Sequence, residues 1–397
     1  MPPPKRALRR VAIAFGVFSG LLTAWLLIAS LRSVHLQTLS AAYPAIEDRS
    51  ARVAKTTGCA LDEIASGAAC KSAVAPALRS EEVTFASSIP AKGLAALKGT
   101  LTLPAGAPGE RRAAVVLLHG SGPEDRHAYE QEDLVSNLSA PFAVLDALRD
   151  VFARAGLVVL SYDKRSCVAC YPERDKATLK DFSWLDLEVD AKDALAYLAT
   201  RPEVDPQRLV VVGHSEGAQM APFVARGRGD VAAVILLAAM TETYDVEILS
   251  QLERLSRIRA TLWDPIGAWS VKLQKGRFSA CFDKLVGPMY RPDEVCIGAG
   301  VTQRSLVELI AHQKGTSAAL EALTMPVMAL QGSVDRNVDP EEIPGPIAAA
   351  LRGHDHELHY VPGVDDLLVD VLTSSKPPTL DADVARRIRA FVSSVRR

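Results

Sequence analysis

The stretch Leu209-Val210-Val211-Val212-Gly213-His214-Ser215-Glu216-Gly217 decides the fold. Four apolar residues run into a Gly-x-Ser-x-Gly pentapeptide, and a helical pattern follows over residues 215–225. A short continuous apolar run suits a strand buried on both faces. A strand that turns this sharply into a helix needs small flanking residues, and it pushes the central side chain above the sheet edge. Ser215 is therefore the candidate nucleophile. The helix that starts there aims unpaired backbone N–H groups at the same place, so the Glu216 N–H is a candidate oxyanion donor.

The same strand type recurs on both sides of this stretch. Residues 113–118, 157–162, 231–238, 326–330 and 357–361 read as strands, and residues 81–87 and 97–103 alternate like a hairpin. Helical patterns over 141–155, 184–200, 343–352 and 381–396 separate or follow them. This alternation predicts an α/β fold: a mostly parallel, doubly wound sheet with helices on both faces. Residues 241–323 break the rhythm. They are too long for a bare connection, show no clear strand, and carry amphipathic segments at 246–258 and 304–312. An inserted helical cap is expected there.

The N-terminus has a different composition. Lys5, Arg6, Arg9 and Arg10 precede residues 11–31, which contain no charged side chain. That length matches the hydrocarbon core of a bilayer, and the basic flank is expected to stay in the cytoplasm. The reading is a basic flank at 1–10, a membrane anchor at 11–31, a linker at 32–80 and one catalytic-type domain at 81–397, outside the cytoplasm. A cleaved signal peptide is the competing reading, with Ser40-Ala41-Ala42 the nearest small-residue site, well past the apolar run. The formal net charge of −2 gives no reason to expect a nucleic-acid partner.

Six cysteines agree with export. Proximity pairs Cys59 with Cys70, Cys167 with Cys170, and Cys281 with Cys296, out of 15 possible connectivities. Cys167-Val168-Ala169-Cys170 is also readable as a redox or metal pair, but Tyr171-Pro172 follows it where a redox motif would open a helix. No metal site or organic cofactor is implied.

Two more segments complete a candidate site. Leu117-Leu118-His119-Gly120-Ser121-Gly122 follows a predicted strand, and its glycines allow close approach to a substrate carbonyl, with the Ser121 N–H as second oxyanion donor. His119 is expected to order that loop. Asp335, in Gln331-Gly332-Ser333-Val334-Asp335, follows the strand at 326–330 and stands where an acid would orient a histidine.

At these residues the chain resembles the α/β-hydrolase superfamily, within the broad group of dienelactone hydrolase-like and serine-peptidase-like esterases. The likeness covers residues 81–397. It is carried by His119-Gly120-Ser121-Gly122-Pro123-Glu124-Asp125-Arg126, by Ser161-Tyr162-Asp163-Lys164-Arg165 and by Gly213-His214-Ser215-Glu216-Gly217. It implies hydrolysis of an ester, thioester or amide through an acyl-enzyme. Two departures stand out. Ser166-Cys167-Val168-Ala169-Cys170 replaces a glycine-rich turn, so a disulfide is expected to shape that loop. Val361-Pro362-Gly363-Val364-Asp365-Asp366 puts Asp366 where the resemblance implies the catalytic histidine.

A carboxylate of ordinary pKa is a weak base for a serine hydroxyl. A pair formed by Asp335 and Asp366 would share a proton by mutual repulsion. Among the histidines, His127 is the first candidate to substitute. His312 in the cap, His214 beside the nucleophile and His359 in the last strand stand behind it, and His354 and His356 belong to the far end of the sheet. The functional expectation is a membrane-anchored serine hydrolase acting on a small acyl ester or thioester. The alternative is a degenerate hydrolase that binds a ligand or a protein without turnover.

Overall fold

The structure is a computed structural model. It describes residues 78–89, 94–104, 109–130, 142–171, 173, 183–297, 301–369 and 378–395. Eight strands form the main sheet: β1 (Arg79–Phe85), β2 (Leu97–Leu103), β3 (Arg112–Leu118), β4 (Val158–Tyr162), β5 (Val204–His214), β6 (Val231–Leu237), β7 (Val327–Gly332) and β8 (His356–Val361). Their order is β1-β2-β4-β3-β5-β6-β7-β8. β2 runs antiparallel to both neighbours, and every later pairing is parallel. This is the α/β-hydrolase sheet, mostly parallel as expected from the apolar runs.

Alternation along each strand feeds two cores. On β3, Ala114, Val116 and Leu118 face one apolar layer, while Ala113, Val115 and Leu117 face the other. The first layer is closed by α2 (Leu185–Thr200) and α3 (Glu216–Ala225), through Leu195, Leu198, Ala221 and Val224. The second is closed by α1 (Val144–Arg154) and the terminal helix Ala382–Val395, through Leu148, Phe152, Ile388 and Phe391. Burial on both faces explains why the central strands read as continuous apolar runs.

Between β6 and β7 lie α4 (Tyr244–Thr261), α5 (Pro265–Phe282), a two-stranded ribbon (Val295–Ile297 with Val301–Thr302), α6 (Gln303–Gln313) and α7 (Thr316–Glu321). The helices agree with the expected helical cap, although α5 is not among the amphipathic segments read there, and the ribbon departs from the expectation of no clear strand. α5 lacks an apolar stripe of helical period because several of its large apolar residues face outward, whereas Ala268 and Val271 turn inward. Its start is fixed by Asp264, whose side chain accepts the Gly267 N–H at 2.9 Å, and by Pro265 at the first helical position.

Disulfides join Cys167 to Cys170 and Cys281 to Cys296, with Cα separations of 5.3 and 5.5 Å. Neither Cys167 nor Cys170 is a free thiol. The expected pair Cys59–Cys70 and the apolar segment 11–31 lie outside the described residues. Among the described residues no helix is long and apolar enough to cross a membrane.

Candidate active site

Parallel strands bring their following loops to one edge of the sheet. Ser215 caps β5, Gly120 and Ser121 follow β3, Asp335 follows β7, and Asp366 follows β8. These four segments surround a cavity of about 220 Å³, whose walls include Ser121, Glu124, His214, Ser215, Asn337 and Asp366. α4 roofs it with Tyr244, Glu247, Ile248 and Gln251.

Ser215 has φ 54° and ψ −118°, in the half of backbone space that side-chain-bearing residues avoid. Its neighbours make the turn possible. A Cβ on Gly213 would lie 2.1 Å from the Gly217 carbonyl oxygen, and one on Gly217 would lie 2.5 Å from the Leu118 and His119 carbonyls. The Ser215 N–H donates to the Leu237 carbonyl at 2.9 Å, and the Ser215 carbonyl accepts from Ala218 at the same distance. The strained turn is thus fixed on both sides and presents its hydroxyl to the cavity.

The side formed by the loop after β3, where the oxyanion donors are expected, is organised by Lys164, buried just after β4. Its Nζ donates to the Gly120 carbonyl, to the Gly122 carbonyl at 3.1 Å and to the Glu216 carboxylate at 3.0 Å. One ammonium therefore ties the loop after β3 to the start of α3. In a trans peptide the carbonyl and the next N–H point in opposite directions. Holding the Gly120 carbonyl on Lys164 turns the Ser121 N–H away from it. His119 orders the same loop, its Nε2 bonded to the Tyr162 carbonyl, and burial drives its pKa down to about 3, so it stays neutral. Asp163 and Arg165, on either side of Lys164, hold Arg126 and Asp190 respectively through paired contacts.

The opposite side is acidic. Asp335 accepts the Asn337 and Val338 N–H groups at 2.8 Å each and the Gln331 amide at 2.6 Å. Burial first, and Asp366 second, push its pKa well above the carboxylate range. Asp366 accepts from the Asn337 side-chain amide, keeps one oxygen without a partner among the described residues, and is likewise pushed up by burial. Asp335 and Asp366 share no direct bond; Asn337 joins them. Adjacent Asp365 binds the Val369 N–H at 2.9 Å and is pushed up to about 8 by burial and by Asp366.

His127 lies elsewhere. Its Nδ1 bonds the Asp146 carboxylate at 2.9 Å, and it lines a separate cleft with Arg126, Asp163 and Cys167. Sequence proximity to the oxyanion loop gave no information about which side of the loop it leaves from, and Asp146 on α1 holds it on the far side. His312 packs on Phe223 and pairs with Glu188 at 2.9 Å. His359 pairs with Glu357 and Arg387. Of the described histidines only His214 lines the Ser215 cavity. Its Nε2 is held at 2.7 Å by the Asp366 carbonyl, and burial lowers its pKa.

The sequence reading also passed over Glu124. It lines the cavity, its Oε2 has no partner among the described residues, and its Oε1 lies 3.5 Å from where a Gly120 Cβ would stand, a point 3.6 Å from the Ser215 Cβ. Burial pushes its pKa up to about 8, against the opposing pull of Lys164. A lone Glu in a polar loop carries no sequence signal of this kind. Among the described residues no three His, Cys, Asp or Glu side chains group to hold a metal ion.

A family model described as serine aminopeptidase, S33, matches residues 143–365. Esterase EstD of Thermotoga maritima is 26% identical over 254 residues, which cover 62% of this chain and 52% of that protein. The chain thus spans about half the length of that relative. Among solved structures, Est1E from Butyrivibrio proteoclasticus aligns with a TM-score of 0.48 at 14% identity, over 79% of this chain and 98% of that one. The hypothetical protein PA2218 from Pseudomonas aeruginosa aligns with a TM-score of 0.48 at 20% identity, over 80% and 94%.

Proposed function

The chain belongs to the serine aminopeptidase S33 family of α/β-hydrolases, and from that premise we propose that it is a serine hydrolase, membrane-anchored through residues 11–31, that cleaves a small carboxylic ester or thioester through an acyl-enzyme. The observation that carries this reading is the backbone of Ser215. A strained φ at a cavity wall, kept by two glycines that admit no Cβ, is costly for a residue with no chemical task.

In this reading Ser215 Oγ attacks the carbonyl carbon, and the N–H groups of Ser121 and Glu216 receive the developing oxyanion. Glu124 takes the Ser215 proton and returns it to the leaving oxygen. A carboxyl with a pKa near 8 is about as basic as an imidazole, which an ordinary carboxylate is not. An ester suits this base better than an amide, because an alkoxide departs without the strong proton donation that an amine requires. Domain placement outside the cytoplasm belongs to the same proposal and is supported by the basic flank and the paired cysteines.

The test is hydrolysis of short p-nitrophenyl esters by the oxidised full chain, with Ser215→Ala and Glu124→Gln alongside. Turnover that rises with pH to a plateau above about 8 and is lost in both variants is the expected result. Turnover indifferent to Glu124→Gln would remove it as the base, with His214 next to be replaced. A second reading, a binding module without turnover, draws on Asp366, whose carboxyl takes an amide from Asn337 where a triad would have an imidazole. An inert wild type that fluorophosphonate never labels at Ser215 would favour it.

A further inference from the structure

Exposed apolar side chains are concentrated in the cap. Of the eleven large hydrophobic residues exposed among those described, nine lie within residues 241–323. Four of them form one outward stripe: Ile266, Trp269 and Leu273, spaced three and four apart on α5, are 72%, 65% and 46% exposed, and Trp263 just before the helix is 49% exposed. That spacing puts the three helical residues on one face. The opposite face of α5 is already occupied: Ala268 and Val271 are buried, and Lys275 reaches Glu253 of α4 at 2.9 Å. The outer face of α5, with Ile266, Trp269 and Leu273, is therefore left over after that helix has packed on the domain.

Charge narrows what covers it. α5 carries Lys272, Lys275 and Arg277 and no acidic residue. By helical spacing Lys272 and Arg277 lie on either side of the stripe. A helix that carries an outward tryptophan beside aliphatic residues and basic flanks suits the headgroup boundary of a bilayer.

We propose that the outer face of α5, with Trp263, lies in the interface of an anionic phospholipid bilayer. The inference deepens the reading above, since the anchor assigned to residues 11–31 holds the domain at such a surface. Docking there would set α4, the roof of the Ser215 cavity, one helix layer from the lipid, about 8–10 Å away. Esters dissolved in the bilayer then become the nearest pool of substrate.

The test uses the oxidised full chain carrying Trp25→Phe, so that exposed Trp263 and Trp269 report and buried Trp184 serves as internal reference. Emission is compared in phosphatidylcholine–phosphatidylglycerol vesicles with plain and with brominated acyl chains. Plain vesicles should move the emission of Trp263 and Trp269 to the blue of its position in buffer, and brominated chains should remove much of it. Ile266→Glu with Leu273→Glu should abolish the quenching while leaving hydrolysis of a water-soluble ester unchanged. Equal emission in the two vesicles overturns the proposal, whether a second copy or residues 32–77 cover the stripe. Equal quenching in vesicles of phosphatidylcholine alone overturns its anionic part. Hydrolysis of the soluble ester on the same samples keeps the two readings apart: its absence strikes the hydrolase and leaves the lipid contact standing.

Discussion

The two walls of the Ser215 cavity bury charge in opposite ways. On the oxyanion side, three consecutive charged residues are each matched by a counter-charge: Asp163 by Arg126, Lys164 by Glu216, and Arg165 by Asp190. On the other side, Asp335, Asp365 and Asp366 receive their hydrogen bonds from backbone amides and from the side chains of Gln331 and Asn337. In the first wall these opposite charges are bonded to one another. The second is held by neutral donors, so its members lower their desolvation cost by keeping protons. Arg336 pulls the pKa values of Asp365 and Asp366 down, but less than burial pushes them up.

The largest effect asks whether either wall serves the serine. Ser215→Ala should lower ester hydrolysis by about 10³-fold or more, measured as kcat/KM. The paired wall is broken next by Lys164→Met, which strands Glu216 and frees two carbonyls of the oxyanion loop. Loss of about 3–5 kcal/mol of stability in urea is expected, with turnover falling in the fraction that stays folded. Asp366→His sharpens the contrast from the other side. It should supply an imidazole beside Asp335 and raise kcat by about 10²-fold, with a new pH dependence near neutrality. No gain would mean that the acidic wall is no longer shaped as a triad.

The smallest effect concerns proton count. A carboxyl whose folded pKa exceeds its unfolded one carries an extra proton in the folded state. Its contribution is full in acid, below the unfolded value, and is lost as pH rises through the folded value, about 8 for Asp365. Stability should therefore decline between pH 5 and about 8, by about 1.4 kcal/mol per pH unit for each such group. Asp366→Asn should flatten that slope; an unchanged slope would show that the wall does not titrate with folding.

The sheet and the elbow were legible because both rest on local rules. A doubly buried strand must be apolar throughout, and a sharp strand-to-helix turn must be flanked by glycine. Lys164 and Glu216 could be quoted as motif residues, but their pairing spans 52 positions and follows only from the order of β4, β3 and β5. α5 escaped because its apolar residues point away from the core, the reverse of the pattern that identifies a helix. His127 lies outside the Ser215 cavity for a related reason: nearness in sequence does not fix the side of a loop, and Asp146 holds the imidazole in a separate cleft. Glu124 acquires its basicity first from burial and then from Glu130, Glu216 and Asp125 nearby, which no spacing records.

Asn337 sits where the acidic wall meets the roof. It binds both Asp335 and Asp366 and also takes the Gln251 amide at 2.7 Å and, through its carbonyl, Arg254 of α4. Lifting α4 would break the last two bonds and admit water to the carboxyls below. Hydrated carboxyls give up their protons at neutral pH. Any lifting of α4 that wetted these carboxyls would by linkage be coupled to the release of their protons.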